Sequence, residues 1–217
     1  MTIKAVIFDM DGVVVNNHEY HFKAWMEFAE RYSFELDEEI YKEQFNGKTN
    51  RDIFQMIFDE PTDEEIETYS EEKETLYREL YYDELAVHTG LLDFLANLKR
   101  MRLPIALATS APTENVDWVL DNLQLRPVFD VVVDGSMVDN GKPDPEIYRT
   151  VCDKLEIEPR DCLVFEDSRA GLESAKEAGC MVVGMATSHE AWEIQDLAEN
   201  VIHDFTEVRP VWTRLDK

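Results

Sequence analysis

Residues 5–15 read AVIFDMDGVVV, an apolar run interrupted by Asp9, Asp11 and Gly12. An apolar run that ends in polar residues predicts a short buried strand with both carboxylates at its carboxyl end. Side chains two positions apart in an extended chain point to the same side, which would place these carboxylates roughly 6–7 Å apart. Because two buried carboxylates repel each other and lose hydration, the pattern indicates that a divalent cation compensates them.

The residues after Asp9 exclude one common type of cation site, the EF-hand calcium loop. An EF-hand calcium loop requires Gly at its sixth position and Glu at its twelfth. This chain has Val14 and Tyr20 at those positions, which excludes such a loop. A simple acidic turn is the structural alternative that stays open.

The composition predicts a globular chain with a strongly negative surface. At 217 residues and 44% hydrophobic content, the chain is long enough for one α/β domain with an insert. Its 47 acidic and 21 basic residues give a formal net charge of −26, which argues against nucleic acid or an anionic membrane as a partner. An anionic substrate would need a local positive site.

Cysteine usage and the amino terminus indicate the compartment. Cys152, Cys162 and Cys180 are widely spaced and form no CxxC pair, so we expect neither a disulfide framework nor a zinc site. The first apolar stretch is cut at Asp9, too early for a signal peptide, and no later run approaches a membrane span. We therefore expect a cytoplasmic protein.

Five short apolar runs end in polar residues and are followed by segments of helical period. They are AVIF before Asp9, PIALA before Thr109, VFDVVV before Asp134, CLVF before Glu166 and CMVVGMA before Thr187. This alternation predicts an α/β fold with a Rossmann-like parallel sheet. Ligands of such sheets bind outside the carboxyl ends of the strands, so Asp9, Thr109, Glu166 and Asp167 are expected to converge there.

Residues 16–85 break this alternation. They contain no comparable strand signal, but apolar residues recur at helical spacing around Trp25 and around Tyr69. We predict a helical insert over 16–85, a small lid on an α/β core formed by 1–15 and 86–217, with hinges where the chain crosses between them. Eleven acidic residues between Glu60 and Glu84 predict a solvated helix face in this insert.

Three further segments carry candidate phosphate and metal ligands. In ALATSAPTENV, Thr109 and Ser110 precede a helix start near Pro112, which suits anion binding, although an ordinary helix cap gives the same pattern. Lys142 stands just before a helix, where a lysine taken alone is usually solvated. Glu166 and Asp167 offer hard oxygen ligands for Mg²⁺, or a cap for the following helix.

Taken together, these strand-end residues predict a phosphoryl-transfer site. Asp9 would attack phosphorus and form an aspartyl-phosphate, and Asp11 would act as general acid and then general base. Thr109, the turn amides near Ser110 and Lys142 would hold the phosphoryl oxygens, with Mg²⁺ between phosphate and carboxylates.

The chain resembles the haloacid dehalogenase superfamily in its β-phosphoglucomutase-like branch. FDMDG, ATS, GKPDP and FEDSRAG match the four motifs of that family in order and spacing. The resemblance implies Asp9 as nucleophile, Asp11 as acid/base whose backbone carbonyl also touches Mg²⁺, and Thr109 and Lys142 as phosphate ligands. It also implies Asp167 with Glu166 at the metal, and a cap domain that selects the substrate.

Within the insert, EYHFKAW is similar to the sugar-phosphate mutases, with His21 at their matching histidine and Lys73 at their substrate lysine. Taken from the residues alone, a histidine on an aromatic-rich helix is more often structural. Asn50 stands where the mutases have a phosphate-binding arginine, and Arg51 follows one position later. Asn16 and Asn17 replace the usual Asp followed by Ser or Thr at the hinge.

The sequence thus predicts a Mg²⁺-dependent phosphatase for a small phosphate monoester of the sugar-phosphate kind, acting as a monomer on a phosphorylated metabolite. The enzymatic alternative is β-phosphoglucomutase-type isomerisation of hexose phosphates. The non-enzyme alternative is a phospho-accepting receiver-like signalling domain, which shares strand-end acids, a Thr and a Lys. Receivers place the phosphorylated Asp after the third strand and lack a helical insert, which disfavours that alternative.

Overall fold

Six short parallel strands form one sheet in the computed structural model, which describes residues 3–208. The strands are β1 (Ala5–Phe8), β2 (Ile105–Ala108), β3 (Val131–Val133), β4 (Cys162–Glu166), β5 (Met181–Met185) and β6 (Asn200–Ile202). Their order is β3-β2-β1-β4-β5-β6, so the strand that carries Asp9 at its end lies between β2 and β4. The five predicted strands are confirmed. β6 was not predicted, because only two consecutive apolar residues, Val201 and Ile202, mark it in the sequence.

Helices occupy most of the chain between β1 and residue 85. They are α1 (His18–Tyr32), α2 (Glu38–Ile40), which continues as a π-helical turn (Tyr41–Phe45), α3 (Asn50–Ile57) and α4 (Asp63–Tyr81). We call these elements the cap. Their own core is aromatic, with Trp25, Phe28 and Phe54 buried together. The predicted Rossmann-like α/β fold with a helical insert after the first strand is confirmed, while the domain boundaries stay a prediction.

The acidic segment of the cap departs from the prediction at one residue. Most of its acidic side chains are exposed, as a solvated face requires, but Glu74 is only 4% exposed. The neighbouring Lys73 is also buried, at 2%. Charge patterning along the chain did not distinguish these two residues from their solvated neighbours, because helical phase and packing decide which side chain points inward.

The helices after the cap cover the two faces of the sheet. They are α5 (Leu91–Met101), α6 (Thr113–Asn122), α7 (Glu146–Leu155), α8 (Arg169–Ala178) and α9 (Ala191–Ile194). One apolar layer contains Phe8, Phe94 and Phe165, and the opposite layer contains Ile7, Val164 and Tyr148. Successive residues of a strand point to opposite faces, so both layers draw on the same buried strands.

The two connections between cap and core run side by side. Val15 bridges Val87 in antiparallel fashion, and the amide of His88 donates to the carbonyl of Val14 at 2.8 Å. Hinge motion at these crossings stays a prediction. Over residues 3–208, no helix has the length and apolar character needed to cross a membrane.

Candidate active site

A cavity of about 550 Å³, its open mouth included, lies between the cap and the carboxyl ends of the strands. The core contributes Asp9, Asp11, Thr109, Ser110 and Asp167 to its lining, and the cap contributes His21, Lys48, Asn50, Lys73 and Glu74. The convergence predicted for Asp9, Thr109 and Asp167 is therefore observed. It follows from the parallel sheet, whose strands all end at the same edge.

Lys142 lies buried beneath the core end of the cavity. Its Nζ donates to Asp9 Oδ1 at 2.7 Å and to Glu166 Oε1 at 2.6 Å. Burial by itself would lower the pKa of the ammonium, but Asp9 and Glu166 outweigh it and raise that pKa well above its ordinary value. A solvated lysine is thereby excluded, and Lys142 is a fixed cation against the candidate nucleophile.

Glu166 does not reach the cavity. Besides Lys142, its carboxylate accepts hydrogen bonds from the Tyr148 hydroxyl at 3.3 Å and from the Ser168 amide at 2.8 Å. A Cβ at Gly171 would lie 1.6 Å from Glu166 Oε1, so only glycine leaves room for this carboxylate. Glu166 ends β4, and adjacent residues of an extended chain point to opposite sides, so it anchors Lys142 while its neighbour Asp167 lines the cavity.

Asp9 and Asp167 are crowded acids at the core end. Burial raises the pKa of Asp9 well above its ordinary range, and nearby acidic groups add to this against the opposing charge of Lys142. Burial and Glu166 likewise raise the pKa of Asp167. Gly12 adopts φ +76°, and a Cβ there would lie 2.1 Å from Asp167 Oδ2. The glycine of the opening motif is therefore required both by its backbone conformation and by the space it leaves.

Asp11 lies in a different environment. Its Oδ1 accepts a hydrogen bond from Asn17 Nδ2 at 2.6 Å, and His21 Nε2 lies 3.5 Å from the same oxygen. Burial would raise the pKa of Asp11, but His21, Asn17 and Lys73 outweigh it and lower the pKa. Asp11 is therefore ionised at neutral pH.

Asn17 is a site residue that the sequence analysis treated only as a departure from the family pattern. It is fully buried, and its Oδ1 accepts the Gly12 amide at 3.1 Å. Its Nδ2 also donates to the Tyr77 hydroxyl at 2.6 Å. Its position directly before α1, where the chain crosses from the core into the cap, was the signal that could have identified it.

His21 is paired with Lys73 across two cap helices. Lys73 Nζ lies 2.9 Å from His21 Nδ1, and an ammonium can only donate, so Nδ1 accepts and Nε2 carries the proton. The ring stacks on Tyr77 with centroids 3.7 Å apart. This arrangement turns His21 Nε2 toward Asp11, whose Oδ1 lies 3.5 Å away.

Of the two remaining candidate residues in the cap, one lines the cavity and the other does not. Asn50 lines the cavity and donates to Glu74 Oε1 at 2.8 Å. Arg51 lies outside the cavity, half exposed, with its Nη1 2.7 Å from Asp63 Oδ1. Consecutive residues of a helix point about 100° apart, so the structure does not bring Arg51 to the position expected of a substrate ligand.

At the start of α6, the Thr109 hydroxyl accepts the Ala111 amide at 3.1 Å, and Pro112 precedes the first helical residue. The Ser110 hydroxyl donates to the carbonyl of Gly47 in the cap at 2.8 Å. The N-cap Pro112 makes no side-chain cap, so the ordinary Ser/Thr cap is not formed, and the turn borders the cavity. Ser110 ties the cap to the core in this closed arrangement.

Comparisons with known proteins agree with this geometry. The family model of the haloacid dehalogenase-like hydrolases matches residues 3–179. The chain is 36% identical over 182 residues to the phosphorylated carbohydrates phosphatase of Thermotoga maritima, covering 82% of each chain. It is 31% identical over 191 residues to the β-phosphoglucomutase of Bacillus subtilis, covering 84% of this chain and 83% of the relative.

A solved structure of a HAD hydrolase, family IA, variant 3, from Entamoeba histolytica superposes with a TM-score of 0.86 at 29% identity, covering 99% of this chain and 98% of that one. These relatives are enzymes, so the receiver-like alternative is not supported. The chain is an enzyme that belongs to the haloacid dehalogenase-like hydrolase family, and its relatives are of the β-phosphoglucomutase-like kind.

Proposed function

We propose that this enzyme is a Mg²⁺-dependent phosphatase that hydrolyses a small sugar-phosphate monoester through an aspartyl-phosphate. The observation that carries the proposal is the placement of Asp9 at the cavity, held by Lys142 at 2.7 Å, with Asp11 in the same cavity. We also propose that the enzyme is a cytoplasmic monomer and that its partner is a phosphorylated metabolite.

In the first step, an Asp9 oxygen attacks phosphorus, a P–O bond to Asp9 forms, and the bond to the sugar oxygen breaks. The departing oxygen takes a proton from Asp11. The lowered pKa of Asp11 applies to the free enzyme, and the negative charge of a bound phosphate raises it toward the protonated form. In the second step, water attacks the phosphorus and gives its proton to Asp11, which releases phosphate and restores Asp9.

Lys142 would neutralise charge on Asp9 and on the transferring phosphoryl group, and the amides after Thr109 would donate to phosphoryl oxygens. Glu166 would hold Lys142 in place from below through the 2.6 Å contact. Ser110 stays in the proposed phosphate-binding turn through its amide, since its hydroxyl is engaged with Gly47.

The residues at the core end fit Mg²⁺. Burial and neighbouring acidic groups raise the pKa of both Asp9 and Asp167, and all the donors are hard oxygens. Over residues 3–208, no three His, Cys, Asp or Glu side chains form a group that could hold a metal ion by themselves. Mg²⁺ usually binds one or two carboxylates and completes its shell with waters and substrate phosphate. Asp9, Asp167 and the Asp11 carbonyl would hold it, and it would supply charge neutralisation to the phosphoryl group.

The mutase alternative requires a second phosphate to be held at the cap while the first is on Asp9. A bidentate arginine suits that task, and this chain has the neutral Asn50 at that position. Arg51 is engaged with Asp63 outside the cavity, so Lys73 is the cation that faces the cavity from α4. These features favour hydrolysis over isomerisation.

The test is a screen of phosphorylated metabolites with free phosphate as the readout. It is repeated with β-glucose 1-phosphate and a priming sugar bisphosphate, with glucose 6-phosphate as the second readout. We expect phosphate release to exceed isomerisation, and Asn50→Arg to shift the ratio toward isomerisation. Formation of glucose 6-phosphate many times faster than free phosphate would replace the phosphatase proposal with the mutase.

A further inference from the structure

The cap end of the cavity contains a buried, internally neutralised ion pair. Lys73 Nζ donates to Glu74 Oε1 at 2.8 Å, and both side chains are at most 5% exposed. Asn50 Nδ2 donates to the same oxygen at 2.8 Å, and Asn115 Nδ2 donates to Oε2 at 2.6 Å. Burial would raise the pKa of Glu74, but Lys73, His21 and Asn50 outweigh it and lower the pKa. The carboxylate is therefore ionised at neutral pH.

This pair removes the positive charge that a second phosphate would need. The lining of the cavity contains four carboxylates and two ammonium groups, which are Asp9, Asp11, Glu74, Asp167, Lys48 and Lys73. The Lys48 ammonium lies against the sulfur of the exposed Met56 at 3.6 Å, at the surface. At the enclosed cap end, Lys73 and Glu74 cancel each other, and the amides of Asn50 and Asn115 are uncharged.

We propose that Glu74 is a specificity-determining residue that selects monophosphates with an uncharged, hydroxyl-bearing remainder and rejects bisphosphates. This inference rests on the proposed phosphatase function. A second phosphate at the cap would lose its hydration without gaining a net positive partner, because Glu74 already neutralises Lys73. Sugar hydroxyls can both donate to Glu74 and accept from the neighbouring amides.

The experiment compares kcat/KM for matched pairs of substrates: fructose 1-phosphate with fructose 1,6-bisphosphate, and glucose 6-phosphate with glucose 1,6-bisphosphate. For the unmodified enzyme, we expect each monophosphate to be preferred by about tenfold or more. In Glu74→Gln, which keeps the shape and removes the charge, the preference should fall by about tenfold. Glu71→Gln is the matched control, because Glu71 is exposed on the same helix and lies outside the cavity lining.

Circular dichroism establishes whether Glu74→Gln folds. An unchanged preference in a folded Glu74→Gln variant overturns the assignment of Glu74. If the variant does not fold, the substrate comparison with the unmodified enzyme is the test. A kcat/KM for the bisphosphates equal to or above that for the monophosphates overturns the inference. An unmodified enzyme that releases phosphate from no monoester is a different result, which refutes the proposed function together with the inference that rests on it.

Discussion

A buried lysine lies at each end of the cavity, and the two lysines have opposite surroundings. Lys142 at the core end contacts both Asp9 and Glu166, with two more acids close by. Lys73 at the cap end contacts one carboxylate, that of Glu74, which two amides also satisfy. Burial, with the neighbouring acids, raises the pKa of Asp9 against Lys142, whereas Lys73 and its neighbours outweigh burial and lower the pKa of Glu74.

The difference favours the core end as the reacting end. An excess of buried carboxylates is costly, and it persists where a substrate, a metal ion or a reaction uses it. A balanced pair is stable without any ligand, so the cap end can recognise part of a substrate without taking part in phosphoryl transfer.

The largest effect is expected for Asp9→Asn. The amide keeps the shape but cannot attack phosphorus, so kcat should fall by about a thousandfold or more while the fold is retained. Steady-state phosphate release and circular dichroism measure the two properties. Turnover comparable to that of the unmodified enzyme would mean that the core end is not the reacting end.

The second effect concerns the metal. If Mg²⁺ compensates the carboxylate excess, exhaustive chelation should lower phosphate release by about a hundredfold or more, and Mg²⁺ should restore it. Ca²⁺ should inhibit, because it imposes a larger and looser oxygen shell. Full activity in chelated enzyme would show that the carboxylates at the core end need no metal ion for catalysis.

The third effect compares the two lysines directly. Lys142→Met leaves several buried acids without their cation, and we expect the free energy of unfolding to fall by about 3 kcal/mol or more. Lys73→Met leaves Glu74 still bonded to two amides and removes the donor to His21 Nδ1, and it should cost about 1–2 kcal/mol. Urea unfolding of both variants measures the difference, and an equal or larger loss for Lys73→Met would remove the distinction.

The smallest effect is on pH-dependent stability. The pKa of Glu74 in the folded state lies below its ordinary value of 4.5, so the unfolded state binds more protons between the two values. Glu74 therefore stabilises the fold above about pH 4.5, and this contribution is lost as the pH falls through the folded pKa. Glu74→Gln should cost about 1 kcal/mol at pH 7 and nothing in strong acid.

Asp9 provides the contrasting case for this prediction. Its pKa in the folded state lies above its ordinary value of 3.8. Ionisation of Asp9 therefore destabilises the folded protein as the pH rises from 3.8 toward the folded pKa. In metal-free protein at pH 7, Asp9→Asn should raise the free energy of unfolding by about 1 kcal/mol, at the expense of activity. Urea unfolding at several pH values measures both residues. Shifts of the same sign in the two variants would refute the comparison.

Much of the core end was predictable from the sequence. The apolar runs before Asp9, Thr109 and Glu166 indicated the strands, and a parallel sheet brings strand ends together regardless of what separates them along the chain. Side-chain direction was harder to predict. Glu166 and Asp167 are adjacent, and only the register of β4 shows that Asp167 lines the cavity while Glu166 anchors Lys142.

The cap end was not predictable in the same way. Glu74 stands in an acidic stretch that is typical of a solvated face, and Asn115 is an unremarked residue of α6. They meet because the cap closes over the core, a contact between residues 41 positions apart that no local pattern records. Asn50 and Arg51 were both candidates until the helix phase placed one inside the cavity and the other outside.

The fold class, the helical insert and the strand-end residues could be predicted from the sequence, because strand and helix periodicity and polar termination are local properties. Tertiary packing sets which carboxylates share a cation and which carboxylate is neutralised by its own lysine. Charge compensation depends on distance and burial, and these are fixed when helices and strands from distant parts of the chain pack together. The core end and the cap end therefore differ in chemistry although both are built from a lysine and acids.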